Sequence, residues 1–338
     1  MPDAFDQNTF HGLLVRGDLH GAIAYLSGFA GQAALCAQYR ARFEGPAYLN
    51  YEEQGLSPLL NGLLLEYQKY YHEVFYHLQN PEEAADRLHG RLARRLGQPM
   101  RQTLDELEDG PVAEAFRAGG LHFLGGRSSG CYGPYVWKRE RLARYTVELP
   151  EGRREYAVKL LGDFVSASWV DYLSFGAVGT AGWSNGDGLI HCVERAYDLD
   201  SEGFRVSLLQ HEAQHAMDLA RWPGMSSGDL EYRAKLVELI YSRERALLAR
   251  FARQAGQTAA TAGGAGNGHA EAAGRILREF EALLPCPAAG WAALPPAQVQ
   301  AAAAKLFEAS CGEMARRYGP AQKQPANNCT HGNIGKEY

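Results

Sequence analysis

The sequence lacks any uninterrupted apolar run of 18 residues, so nothing in it predicts a helix that spans a bilayer. Its first residues show no basic start followed by an apolar stretch, so we expect no secretory signal peptide and a cytoplasmic location. The chain also lacks an excess of positive charge. Its formal net charge of −5 gives no reason to expect nucleic acid or an anionic membrane as a partner.

Two further absences narrow the chemistry. The six cysteines are scattered without C-x-x-C spacing, which predicts reduced thiols rather than a disulfide framework. The glycine-rich stretch 176–188 contains neither G-x-G-x-x-G nor G-K-[ST], so it does not predict a phosphate-binding loop.

The composition that remains is that of an ordinary globular protein, with 46% hydrophobic and 22% charged residues in 338. Apolar periodicity and capping residues predict a mainly helical region over residues 1–118. Residues 119–253 have the mixed helix and strand pattern of an α+β domain, and 254–274 form a low-complexity linker. Two alanine-rich helices are predicted within 275–320, and 321–338 read as a flexible tail.

Short strands are predicted inside the central region. Residues 145–149 and 156–160 alternate apolar and polar side chains across Pro150-Glu151-Gly152, which is typical of a β-hairpin. A further strand is predicted at 189–193, directly after the glycine-rich stretch.

The strongest chemical signal is the five-residue pattern His211-Glu212-Ala213-Gln214-His215. Two imidazoles four positions apart on an α-helix differ by about 40° around the axis and by about 6 Å along it, so both can bind one Zn²⁺. The intervening Glu212 lies beside that position and can take a proton from water held there. The alternative is an ordinary amphipathic helix that buries its alanines.

The flanking residues support a helix-turn-helix arrangement around this pattern. Ser207 is a candidate N-cap for the first helix, which we expect to stop at 222–224 because proline disfavours helix in the residue before it. Asp229 can cap a second helix that begins at Leu230. Such a second helix can return a carboxylate to the metal.

The pattern resembles the gluzincin zinc peptidases of the thermolysin-like superfamily. The downstream positions that carry Gly and His in metzincins are Asp218 and Arg221 here, which excludes that class. Gluzincins take a third ligand from a Glu in the next helix, often within E-x-x-A, and 231–234 has this form. The resemblance implies His211, His215 and Glu231 as zinc ligands and Glu212 as the base, with Glu238 as the alternative third ligand.

The resemblance further implies a zincin-like fold, with a mixed sheet over the motif helix and helical elaborations at both ends. Its implied activity is hydrolysis of peptide bonds in a peptide or protein substrate, which would lie along an edge strand of the sheet near the glycine-rich stretch. A donor for the oxyanion comes from outside the motif, and the sequence leaves four candidates: Tyr232, Tyr241, Tyr197 and His191.

The chain departs from the family at one position. The acidic residue that usually follows the third ligand by four positions is Lys235 here, so we take Asp218 as the candidate to accept a hydrogen bond from a ligand imidazole. Two other functions remain open at this stage. One is a zinc hydrolase of a non-peptide amide or ester, and the other is a weakly active zincin that acts in binding or regulation.

Overall fold

The computed structural model describes residues 4–45, 47–100, 102–184, 189–256 and 268–321. These residues form helices and a mixed β-sheet, so the chain has the predicted α+β class. None of the helices in these ranges is long and apolar enough to cross a membrane.

The N-terminal region is helical, as predicted. Its helices are α1 Gln7–Val15, α2 Leu19–Ser27, α3 Ala33–Phe43, α4 Pro58–Tyr71, α5 Pro81–Leu96, α6 Leu104–Leu107 and α7 Ala113–Ala118. The tyrosines of α4 form a packing face, because Tyr67, Tyr70 and Tyr71 are all buried in the first hydrophobic core. That core also takes in residues from beyond the predicted boundary at 118. Trp169 of the short helix α8, Ser168–Leu173, stacks on Phe75 at 4.7 Å.

The strands are β1 His122–Leu124, β2 Arg127–Ser128, β3 Cys131–Tyr132, β4 Tyr135–Leu149, β5 Gly152–Ala167, β6 Gly182–Ser184 and β7 Leu189–Val193. Five of them form one sheet in the order β1-β4-β5-β7-β6. The predicted hairpin is confirmed and is longer than expected, with Leu149 opposite Gly152 at its turn. The predicted strand 189–193 is also confirmed. It pairs in parallel with β5, which makes the sheet mixed.

The two faces of this sheet have different surroundings because side chains alternate along a strand. Val158, Leu160, Ile190 and Cys192 point to one face and are fully buried in the second hydrophobic core. That core includes Leu208 and Ala213, so the sheet packs against the helix that carries the HEAQH pattern.

The motif helix begins earlier than predicted. A π-helical segment, Gly203–Gln210, runs directly into α9, His211–Arg221, and Ser201 rather than Ser207 accepts a hydrogen bond from a first-turn amide. The expected Ser207 cap is therefore wrong, and two turns of helix precede the imidazoles. The predicted end at Trp222 is confirmed.

The second helix, α10, spans Ser227–Tyr241 and also begins earlier than predicted. Its N-cap is Ser226, whose hydroxyl accepts a hydrogen bond from the amide of Asp229. Asp229 therefore lies in the first turn of α10 instead of capping it. This places Glu231 well inside the helix, on a regular backbone.

Three more helices follow: α11 Ala246–Ala255, α12 Gly268–Glu281 and α13 Pro296–Tyr318. The two predicted alanine-rich helices are confirmed, but α12 takes in residues 268–274, which the sequence had suggested were linker. The rest of that segment from 257, and the tail from 322, lie outside the described residues. Helices α10 to α13 bury Phe251, Ile276, Phe280 and Phe307 in the second core.

Candidate metal centre

His211, His215 and Glu231 meet at one point between α9 and α10. Each offers a ligand atom, and the three atoms lie within 4.8 Å of one another. The two imidazoles come from successive turns of α9, and the carboxylate comes from α10, which packs beside it. The structure thus brings together His211 and His215, which the motif spacing singled out, and Glu231, which the resemblance implied, although such a group could hold several kinds of metal ion.

The separations between these atoms suit a small tetrahedral ion. His211 Nε2 and His215 Nε2 are 3.0 Å apart. Glu231 Oε1 lies 3.3 Å from His215 Nε2, and the other oxygen, Oε2, lies 3.6 Å from His211 Nε2. Ligands about 2.0–2.1 Å from a tetrahedral Zn²⁺ are about 3.3–3.4 Å from each other. The three observed separations bracket this value.

A second carboxylate fixes the orientation of His211. Glu238 Oε1 lies 2.9 Å from His211 Nδ1, so Nδ1–H donates to it and leaves the Nε2 lone pair facing the other ligands. Glu238 also accepts a hydrogen bond from Arg250 at 2.6 Å. Glu238 is therefore neither a third ligand nor a passive core residue, because it holds one ligand in position.

Asp218 does not accept a hydrogen bond from His211 or His215, although the sequence predicted that it would. Its carboxylate is fully buried and accepts from Gln214 at 2.9 Å and from Arg233 at 2.8 Å, and no imidazole in the described ranges forms a hydrogen bond with it. Asp218 lies two turns beyond His211 on α9, so it reaches the neighbouring helices instead. The acceptor for the ligand histidine comes from Glu238 on α10.

The charges at the site favour a cation between the three side chains. Burial alone raises the pKa of Glu231, but His211, His215 and His269 offset this and hold it well below its usual range. Burial alone lowers the pKa of His211, yet the carboxylates of Glu231 and Glu238 raise it to about 10. Two buried carboxylates thus stabilise positive charge on or between the imidazoles.

Lys235 shows how the chain compensates for this negative charge. Its ammonium group is almost fully buried, 3.0 Å from the side-chain oxygen of Gln254 and 3.8 Å from Glu231. Burial lowers its pKa, with Glu238 and Glu231 opposing that effect. At the position where gluzincins usually carry an acid, this chain therefore places a counter-charge for both glutamates.

Two buried polar atoms at the centre meet no hydrogen-bond partner among the described residues. They are Glu231 Oε2 and His215 Nδ1. A buried carboxylate oxygen left in this way is costly unless something else satisfies it. A bound metal ion would satisfy Glu231, so the donor set fits the zinc that the resemblance implies.

Glu212 is half-buried on α9, next to His211. No described residue forms a hydrogen bond or an ion pair with its carboxylate. An acid that is not held in an ion pair is free to exchange a proton with water or substrate.

Three of the four candidates for oxyanion donor have polar groups that contact residues outside the candidate metal centre. His191 is on the sheet face opposite Ile190 and Cys192, where its ring stacks on Trp183 at 4.9 Å. The Tyr232 hydroxyl donates to Glu279 on α12 at 2.5 Å. Tyr241 is in the last turn of α10, and its charged neighbours are Glu148 and Glu151 of the hairpin end.

Tyr197 is the candidate that remains near the site. It is half-buried, and burial raises its pKa, as do the nearby Cys192, Glu238 and Glu212. Its ring lies 5.9 Å from that of Phe204, in the segment that leads into α9. Tyr197 is therefore the one of the four candidates whose charged neighbours include both Glu212 and Glu238.

One residue at the centre was missed by the sequence reasoning. His269 Nδ1 lies 2.6 Å from Glu231 Oε2, and the ring is 6.5 Å from that of His211. The residue is the second of α12 and follows a glycine-rich segment, so no local pattern linked it to HEAQH.

Comparison of the chain with protein-family models, with curated proteins and with solved structures finds no match.

Proposed function

We propose that this chain is a zinc-dependent hydrolase and, more specifically, a metallopeptidase of the gluzincin type with a zincin-like catalytic domain. The observation that carries the proposal is the convergence of His211, His215 and Glu231, with the unpaired carboxylate of Glu212 beside them. Zn²⁺ has the ligand preferences of this donor set and acts as a Lewis acid in such sites.

The residues have separate tasks in this proposal. Glu212 removes a proton from water as the water oxygen forms a bond with the substrate carbonyl carbon. It then delivers that proton to the nitrogen of the leaving amine as the C–N bond breaks. Tyr197 donates a hydrogen bond to the carbonyl oxygen as negative charge develops there. Glu238 keeps the ring of His211 in the orientation that binding requires.

The position of strand β6 favours a peptide as the substrate. β6 is at the edge of the described sheet and packs against α9. An edge strand presents unpaired backbone groups to which an extended peptide can bind. Gly182 permits the close packing, because a Cβ there would lie 2.3 Å from Leu208 and 2.6 Å from the carbonyl oxygen of His191.

One observation favours the second candidate, a hydrolase of a small amide or ester. The side chains of His211, His215 and Glu231 are only 9–12% exposed. Access this narrow suits a small substrate better than a folded protein. Assays of the same preparation against peptide mixtures and against small amides and esters distinguish the two.

The proposal is tested by metal content and by the base together. The purified protein should hold about one Zn²⁺ per chain, and the His211→Ala/His215→Ala variant should hold none. Glu212→Gln should keep zinc and the fold yet lose hydrolysis by about 10²-fold or more, because an amide cannot carry the proton. Glu308→Gln, an exposed change on α13, is the matched control. Full zinc in the double variant, or unchanged turnover in Glu212→Gln, would contradict the proposal.

A further inference from the structure

His269 is the solvent-exposed neighbour of the candidate metal centre. The ligand side chains are about one-tenth exposed, whereas the side chain of His269 is 57% exposed. Glu231 contacts both the buried and the exposed side chains, since it faces His211 and His215 on one side and His269 on the other. Solvent therefore approaches Glu231 past the ring of His269.

The backbone of His269 is held firmly although its ring is exposed. Helix α12 is anchored against α10 through Ala272, Ala273, Ile276 and Phe280, all of which are buried in the second core. His269 is in the first turn of this helix. Its Cα is fixed relative to Glu231, while the exposed ring has room to change its side-chain rotamer.

The contact between His269 and Glu231 does not have the geometry of a hydrogen bond. Nδ1 lies 2.6 Å from Oε2, yet Oε2 has no hydrogen-bond partner among the described residues. At 2.6 Å the two atoms are closer than the roughly 3.3–3.4 Å that separates two ligands of one zinc ion, so the ring as it stands pairs with Glu231. His269 is outside the group of three whose ligand atoms meet, and its exposed ring would have to turn to direct a lone pair toward an ion held there.

We propose that His269 is a fourth, displaceable ligand of the metal centre, which binds at the position that His211, His215 and Glu231 leave open. This inference rests on the proposed function, since it assumes that the three-residue site holds a metal. In the closed form three imidazoles and one carboxylate surround the ion. In the open form His269 swings outward, and water or substrate takes its place.

This arrangement makes α12 a regulatory part of the site. A site with four protein ligands has no position for a substrate carbonyl, so the closed form is inactive. Because the ring is more than half exposed, a substrate can displace it without unfolding the helix.

The number of imidazoles on the metal tests the proposal directly. Zinc-loaded wild-type protein is measured by X-ray absorption, and the imidazole scattering is compared with that of the His269→Ala variant. We expect three imidazoles in the wild type and two in the variant. With Co²⁺ in place of zinc, the visible absorption should change between the two proteins as water replaces the ring. The variant should also lose its zinc at a chelator concentration about tenfold lower than the concentration that removes zinc from the wild type.

Glu271→Ala is the matched control, because it is an exposed change in the same turn of α12 and leaves His269 in place. It should show three imidazoles and wild-type zinc affinity. Two imidazoles in both the wild type and His269→Ala, at full zinc occupancy, would overturn this inference and leave the proposed function standing. Three imidazoles in both would overturn it as well, since another histidine would then be the ligand. A wild-type protein that binds no zinc would instead overturn the proposed function.

Discussion

Buried carboxylates lie beside both hydrophobic cores, but the groups that surround them differ. In the first core Glu66 meets Lys69, Arg91 and Arg95 at 3.2 Å or less. Glu108 there accepts from the Tyr67 hydroxyl at 2.5 Å and from the Gly126 amide at 2.6 Å.

In the second core the partners of Glu231 are mainly imidazoles, and one of its oxygens has no hydrogen bond from a described residue. A carboxylate with complete partners stabilises the fold around it. A carboxylate with incomplete partners has binding capacity left over for a ligand. Of Glu66, Glu108 and Glu231, only Glu231 has a buried oxygen that no described residue satisfies with a hydrogen bond.

The largest effect should come from removing a carboxylate in each core. Glu231→Ala should weaken zinc binding by more than the roughly 10–100-fold that loss of an outer hydrogen-bond partner costs, because a ligand itself is lost. Glu66→Ala should leave zinc affinity unchanged and lower the free energy of unfolding by roughly 1.5–3 kcal/mol. Chelator competition and urea unfolding measure the two quantities. Zinc loss in Glu66→Ala would erase the distinction between the cores.

A pH effect should appear in the first core. Burial raises the pKa of Glu108 to about 7, although the Tyr67 hydroxyl opposes this. The folded state binds this proton more tightly than the unfolded state does. The contribution of the protonated Glu108 to the free energy of unfolding is therefore fully present below the pKa of the unfolded state, and it is lost as the pH rises through about 7. Between pH 5 and pH 8 the free energy of unfolding should fall by about 2–3 kcal/mol on this account.

Glu108→Gln isolates that contribution, since the amide does not titrate. Urea unfolding at both pH values should show a smaller fall in the variant than in the wild type. Parallel curves for the two proteins would mean that Glu108 ionises normally in the fold.

A smaller effect on zinc should follow from loss of the acceptor that holds His211. Glu238→Ala should weaken zinc affinity by roughly 10–100-fold, because the ring loses its acceptor. Glu238→Gln should recover part of that loss, since its amide oxygen can still accept from Nδ1–H. Equal affinity in the wild type and Glu238→Ala would show that Glu238 does not orient the ligand.

The smallest effect on zinc should come from Asp218→Asn. Its carboxylate pairs with Arg233, so the change should lower stability while zinc affinity stays within about twofold of the wild type. A loss comparable to that of Glu238→Ala would restore the role that the sequence suggested for Asp218.

The sequence predicted the parts of the site that depend on local helical periodicity. His211 and His215 lie one turn apart on any helix, and Glu231 is near the start of the next one, so a short connection was enough to bring them together. The hairpin and the final helices were likewise readable from alternation and composition. These features depend on neighbours within about one or two turns of chain.

The features of the site that the sequence did not predict depend on contacts between residues far apart in the chain. The face to which His191 points is set by the register of β7 against β5, and neighbouring positions on a strand point to opposite faces. Glu238 and Asp218 both offered a carboxylate at helical spacing, and only the angle between α9 and α10 decides between them. His269 comes from α12, whose packing on α10 no local pattern reveals.

Arg233 connects the C-terminal helix α13 to the helix that carries the HEAQH pattern. This fully buried cation donates to Asp218 on α9, to Ser310 on α13 and to Glu151 at the hairpin turn. Cutting the chain after α10 would remove Ser310 from Arg233 and His269 from Glu231. The surroundings of the candidate metal centre therefore depend on residues as distant in the chain as α13, far beyond the stretch between His211 and Glu231.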